Sequence, residues 1–263
     1  MILKDKIAVI YGAGGAIGSA VARAFANEGA RLFLTGRTRA PVEALRKSIV
    51  AAGGFAEAAQ VDALDERAVD DHLRSVIDKT GRVDISFNAI GNPCADVIGV
   101  ALVDMDVEHF SRPVTAYATS YFLTARLAAR RMIANKSGVL MTLSALPART
   151  GTRLNGGYGA AQAAKEALTR DLSAELAPHG IRVVGLRPHG IPETGTMREV
   201  YDLKAEQMGL SWEQFQSYLA GMTHPRRVMM LEEVANMAAF IASDKASAMT
   251  GTTVNMTMGS LDD

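Results

Sequence analysis

The chain has 263 residues, 48% of them apolar, a length and composition that suit one soluble α/β domain with a core large enough to stand without disulfides. Its 28 Lys and Arg are balanced by 28 Asp and Glu, which argues against a general electrostatic grip on nucleic acid or on an acidic membrane. Cys94 is the only cysteine, which excludes a disulfide framework and a thiolate metal cluster, and no apolar run is long enough to span a bilayer.

The first apolar run, Ile7–Ile10, reads as a strand. No leader-like segment precedes it, so the expected location is the cytoplasm. It leads through Tyr11 into Gly12-Ala-Gly-Gly-Ala-Ile-Gly18, after which Ser19–Glu28 has helical spacing. A strand, a glycine-rich turn and a helix in that order make a phosphate cradle, because backbone N–H groups and the helix N-terminus can both approach an anion. Taken alone, the same pattern also suits a tight turn that holds nothing.

Strands follow at Arg31–Thr35, Phe55–Val61, Ile85–Asn88, Val139–Leu143, Arg182–Leu186 and Thr253–Met256. Between them the spacing predicts helices over Pro41–Ala52, Glu66–Lys79, Phe110–Ala134, Tyr158–Ala177 and Glu232–Ser243. Gly29, Gly53-Gly54, Gly81 and Gly180 sit just past helices, where a left-handed residue is wanted. The alternation predicts a doubly wound parallel sheet of about seven strands with helices on both faces, in a single domain over 1–263. The stretch Ile191–Met230 breaks the rhythm and carries Met197, Met208, Met222, Trp212 and Tyr218. It reads either as a substrate lid or as a helical pair in a subunit interface.

The motifs resemble those of the short-chain dehydrogenase/reductase family from Lys6 to Gly259. Tyr11-Gly12-Ala-Gly-Gly-Ala16-Ile-Gly18 resembles that family's glycine turn, and Val61-Asp62 its adenine-contacting pair. Asn88-Ala-Ile-Gly91 stands where the family has Asn-Asn-Ala-Gly. Tyr158-Gly-Ala-Ala-Gln162 stands where it has Tyr-x-x-x-Lys, and Glu175–Val183 and Thr250-Gly251 also match. The resemblance implies a Rossmann-like fold and an oxidoreductase that moves hydride between a nicotinamide dinucleotide and a carbonyl or alcohol. It assigns cofactor contacts to Gly12, Gly14, Gly15, Ile17, Gly18, Arg37, Asp62, Ala63, Asn88, Ala89, Gln162, Pro188 and Ile191. It further implies a homotetramer, or failing that a homodimer, built through Phe110–Ala134 and Tyr158–Ala177.

The catalytic positions depart from the family. Tyr158 is kept, but Gln162 replaces the Lys, Ala145 the Ser and Tyr117 the Asn. Gln162 can still hydrogen-bond a ribose hydroxyl. It supplies no positive charge, so the Tyr158 hydroxyl is expected near its ordinary pKa of ~10, high for a general acid at neutral pH. Lys165 lies two turns on, about 10 Å along the axis, too far to stand in for the missing Lys. Ser144 is a site candidate only if the loop is bulged, and otherwise a structural hydroxyl. His189, in Pro188-His-Gly190, is either an acid or base near the cofactor or a loop-packing residue. Tyr117 reads as core packing.

Gly36 leaves no acid to take a ribose 2′-hydroxyl, and Arg37, with Arg39 nearby, offers donors suited to a 2′-phosphate. NADP(H) is therefore expected over NAD(H), although Arg37 could simply start the next helix in solvent. Two functions stay open: an NADP(H)-linked oxidoreductase with a rearranged proton relay, acting on an apolar small molecule, and a catalytically weak member that binds nucleotide for sensing or assembly. Nucleic acid, membrane and metal are not expected as partners.

Overall fold

Seven apolar runs become seven parallel strands: β1 (Ile7–Tyr11), β2 (Arg31–Gly36), β3 (Phe55–Gln60), β4 (Ile85–Asn88), β5 (Gly138–Leu143), β6 (Ile181–Pro188) and β7 (Thr252–Met256). They form one sheet in the order β3-β2-β1-β4-β5-β6-β7 in a computed structural model that describes residues 1–91 and 97–262, with backbone only for Thr196 and Met197. Cys94 and the Met197 side chain lie outside the described residues. Every residue of β1, β4 and β5 is buried, as expected of parallel strands covered on both faces.

The helices are α1 (Ala16–Asn27), α2 (Arg39–Ala51), α3 (Glu66–Thr80), α4 (Val107–Val114), α5 (Ser120–Asn135), α6 (Tyr158–Leu176), α7 (Gly195–Met208), α8 (Trp212–Gly221) and α9 (Leu231–Ala242). Alternation along β1 sends Ala8 and Ile10 to one core and Ile7, Val9 and Tyr11 to the other. The first core is closed by Val21, Ala22 and Phe25 of α1 against Val234, Ala235 and Ala238 of α9. The second is closed by Leu73 of α3, Tyr121 and Met132 of α5, and Leu172 and Leu176 of α6. Full burial of each large apolar side chain contributes roughly 1.5–3 kcal/mol. Capping follows the sequence signals: Asp65 accepts from the Ala68 amide at 3.0 Å, and Gly81, at φ 77°, ends α3.

One expectation needs correction. Phe110–Ala134 is not one regular helix: a π-helical turn over Thr115–Thr119 separates α4 from α5, just after Pro113, which has no N–H to donate. The stretch after β6 holds two helices, α7 and α8, which cluster around Tyr201, Ala205, Phe215 and Leu219. Their aromatic contacts span the α7–α8 junction, so neither helix shows a simple apolar stripe of its own. None of the described helices is long and apolar enough to cross a membrane.

Candidate active site

The strand order reverses between β1 and β4, and the crevice at such a switch point is where ligands bind in open α/β sheets. Gly12 follows β1 with φ 75°, and a Cβ there would lie 2.7 Å from the Ala89 carbonyl oxygen. A Cβ on Gly18 would run into the Gly12 carbonyl. Both positions therefore need glycine for the turn to lie flat against β4 and α1. Gly15 caps α1, Ala16 opens it, and its first turn carries no acid, so its dipole faces the crevice unopposed.

A cleft of about 330 Å³ opens here, lined by Gly12, Gly14, Gly15, Gly36, Arg37, Asp62, Ala63 and Ala89. Arg37 is exposed and makes no ion pair among the described residues. Asp62 points an oxygen at the Leu64 amide, 3.0 Å away. Not every expected cofactor contact lines this cleft. Asn88 is buried beneath it, its amide donating to Thr124 Oγ1 at 3.1 Å and bracing the turn after β4. Ile17 packs against the first core, Pro188 ends β6, and Ile191 is buried in the core with Met229.

Tyr158 opens α6, with its ring centroid 5.7 Å from that of Tyr117 and the planes at 80°. The π turn brings Tyr117 there. The two rings share an apolar cluster with Val97, Ala161 and, from α7, Val200. The next residue of α7, Tyr201, sets its hydroxyl against Gly190, whose lack of a side chain makes room for it. Burial and the nearby Tyr158 hold the Tyr201 hydroxyl well above the usual tyrosine pKa, so it stays neutral.

Two further buried residues carry unmet hydrogen-bonding atoms. Among the described residues Gln162 Oε1 has no hydrogen-bond partner, and neither ring nitrogen of His189 has one. Burial lowers the His189 pKa, with the Gly190 backbone opposing it, so the imidazole is neutral at pH 7.

Ser144 is buried and its hydroxyl is engaged. Its hydroxyl donates to Glu166 Oε1 at 2.6 Å, and Arg187 clamps the same carboxylate through Nε at 2.7 Å and Nη2 at 2.8 Å. This buried set ties the ends of β5 and β6 to α6 and engages the Ser144 hydroxyl beneath the site. Ala145 gives the loop before α6 no hydroxyl.

Lys165 is fully buried; its ammonium donates to the Leu143 carbonyl and lies 5.4 Å from the Tyr117 ring centre. Burial brings its pKa down from 10.5 to about 7. Between those values the unfolded chain holds a proton that the folded one releases, so stability rises with pH from about 7 and is lost as pH falls back. Lys165→Met is expected to flatten that rise and to raise the melting temperature at neutral pH. Thermal unfolding followed over roughly pH 6–9 checks this, and an unchanged slope would count against it.

Sequence reasoning missed the Glu166–Arg187 pair, although an arginine directly after the apolar run Val183–Leu186 was a readable signal. Tyr201 was hidden because the stretch Ile191–Met230 gave no bounds for its helices.

A family model described as enoyl-(acyl carrier protein) reductase matches residues 12–260. An uncharacterized oxidoreductase of Bacillus subtilis is 32% identical over 249 residues, covering 95% of this chain and 88% of that one. The crystal structure of an NAD+-bound xylitol dehydrogenase superposes with a TM-score of 0.91 at 26% identity, covering 98% of this chain and 100% of the other. A 7α-hydroxysteroid dehydrogenase complexed with NADH and 7-oxo glycochenodeoxycholic acid does so with a TM-score of 0.86 at 28% identity, covering 98% and 94%.

Proposed function

Since the chain belongs to the short-chain dehydrogenase/reductase family, we propose that it is an NADP(H)-dependent oxidoreductase acting on the carbonyl or alcohol of a small, largely apolar molecule. The observation that carries this is the switch-point cleft, with its glycine cradle, its acid-free helix N-terminus and Arg37 at its rim. These residues fit a dinucleotide: the pyrophosphate against Gly14 and Gly15, the adenine beside Asp62 and Ala63, the 2′-phosphate on Arg37. When bound, the nicotinamide donates or accepts hydride.

The chain's own part is proton handling and positioning. Tyr158 gives its hydroxyl proton to the substrate oxygen in reduction and takes one back in oxidation. Gln162 offers its unmet Oε1 to a ribose hydroxyl. Neutral His189 offers a donor and an acceptor beside it. Residues 191–230 form the lid: Val200 and Tyr201 cover Tyr158 and exclude water. The same reading places the protein in the cytoplasm as a homotetramer or homodimer.

NADPH is expected to bind about 10- to 100-fold more tightly than NADH, the worth of a charge-assisted phosphate contact. Arg37→Asp should reverse the order. Fluorescence titration of both cofactors measures this, followed by a screen of ketones for cofactor oxidation; equal affinities would refute the preference. The second reading, a nucleotide-binding member with little catalysis, is favoured by the engagement of Ser144 with Glu166. It predicts cofactor binding with no turnover of any ketone.

A further inference from the structure

On the lid, Lys204 lies one helical turn beyond Val200, which packs in the Tyr158 cluster. Its ammonium is largely removed from water, and burial lowers its pKa. Its one hydrogen-bond partner among the described residues is Asn155 Oδ1, at a loose 3.5 Å. Among the described residues no carboxylate pairs with it. Asn155 is itself only 6% exposed, and its Nδ2 donor is sealed with no partner among the described residues. A desolvated cation and an orphaned amide donor therefore sit side by side, an arrangement that costs stability unless something completes it.

The position of Asn155 is rigid. Its carbonyl accepts from the Tyr158 amide at 3.2 Å, so it belongs to the turn that launches α6. Its neighbour Leu154 is held at φ 55°, a left-handed conformation uncommon for leucine.

We propose that Lys204 and Asn155 form a subsite for a carboxylate carried by the same substrate whose carbonyl meets Tyr158. The inference rests on the oxidoreductase reading and narrows it: the substrate has an apolar body and an anionic end. A carboxylate suits the donor set, one oxygen taking the ammonium and the other the amide N–H, with charge matched one to one. A phosphate dianion would keep an unmatched charge. Because the amide donor is sealed when α7 is closed, the anion enters with the lid open and replaces the weak Lys204–Asn155 contact. Substrate capture and lid closure thereby become one event.

The test uses levulinate and its longer methyl-ketone carboxylate homologues, each against its methyl ester. Binding is measured by calorimetry on the protein saturated with whichever of NADPH and NADH it takes. At least one carboxylate is expected to bind ~10-fold or more tightly than its ester, the worth of one charge-assisted contact. Lys204→Gln should remove that preference and leave ester binding within about twofold, a free-energy change under RT ln 10.

Asn155→Asp is the second variant. It keeps the tether to Lys204 and strengthens it as an ion pair, yet should abolish carboxylate binding. Esters binding as well as carboxylates in the starting protein would overturn the proposal. So would equal loss of both ligands in Lys204→Gln, or carboxylate affinity surviving Asn155→Asp, since these mark a lid latch and nothing more. Absence of binding by every member of the series would overturn it too. Turnover of uncharged ketones is read separately, so the oxidoreductase reading stands or falls on its own assay.

Discussion

Gln162→Lys combined with Ala145→Ser is expected to raise carbonyl reduction at neutral pH by at least ~10²-fold, the low end for a well-placed general acid. The lysine would put positive charge one turn from the Tyr158 hydroxyl and favour its phenolate, lowering its pKa. The serine would give the substrate oxygen a donor that Ser144, held by Glu166, does not supply. A second ammonium next to Lys165 is tolerable, because the Lys165 pKa is already near 7 and that residue can stay neutral. Tyr158→Phe should abolish activity before and after the repair. If it leaves the rate of the starting protein unchanged, Tyr158 is not the acid, and His189→Ala becomes the decisive variant. If both proteins bind NADPH and neither turns over any ketone, the nucleotide-binding reading prevails.

Arg187→Leu should destabilise the fold by about 3–5 kcal/mol, because it leaves the Glu166 carboxylate buried without its cation. For a chain of this size that is a fall of about 6–20 °C in melting temperature, at ~2–4 °C per kcal/mol. Removing both charges, as in Glu166→Leu with Arg187→Met, is expected to be much milder. The penalty comes from the unpaired charge, and an apolar pair of similar volume avoids it. Denaturant unfolding of the single and double variants decides the matter. A double variant as unstable as the single one would show that the loss comes from packing, not from charge.

The sheet was legible because its signal is local. Most of the parallel strands are short, largely apolar runs, and β1 to β7 were all placed within a residue or two. The turn at Gly12 was legible for the same reason. The broken helix was not, because an apolar periodicity cannot show an extra residue in a wider turn.

The site was half legible. Tyr158, Gln162 and Arg37 stand at spacings fixed by one helix or one strand end. The role of Ser144 depended on Glu166 and Arg187, which are distant in sequence and meet only when β5, α6 and β6 are assembled. Lys165 could be placed on the Tyr158 face of α6 by counting, but its burial under Tyr117 depends on the π turn. Asn155 and Lys204 lie in segments with no periodic signal.

The packing of α9 on α1 sets the order in which the cofactor cradle can mature. The glycine turn and α1 are made long before Val234, Ala235 and Ala238, which cover the rear of α1. β1 likewise waits for β4 before its second edge is paired. A ribosome-bound chain not yet extended to α9 would carry the nucleotide fingerprint yet have α1 unsupported from behind. Such long-range closure makes folding slow. Nucleotide, by binding only the finished cradle, would act on the nascent protein as a late clamp and not as a template.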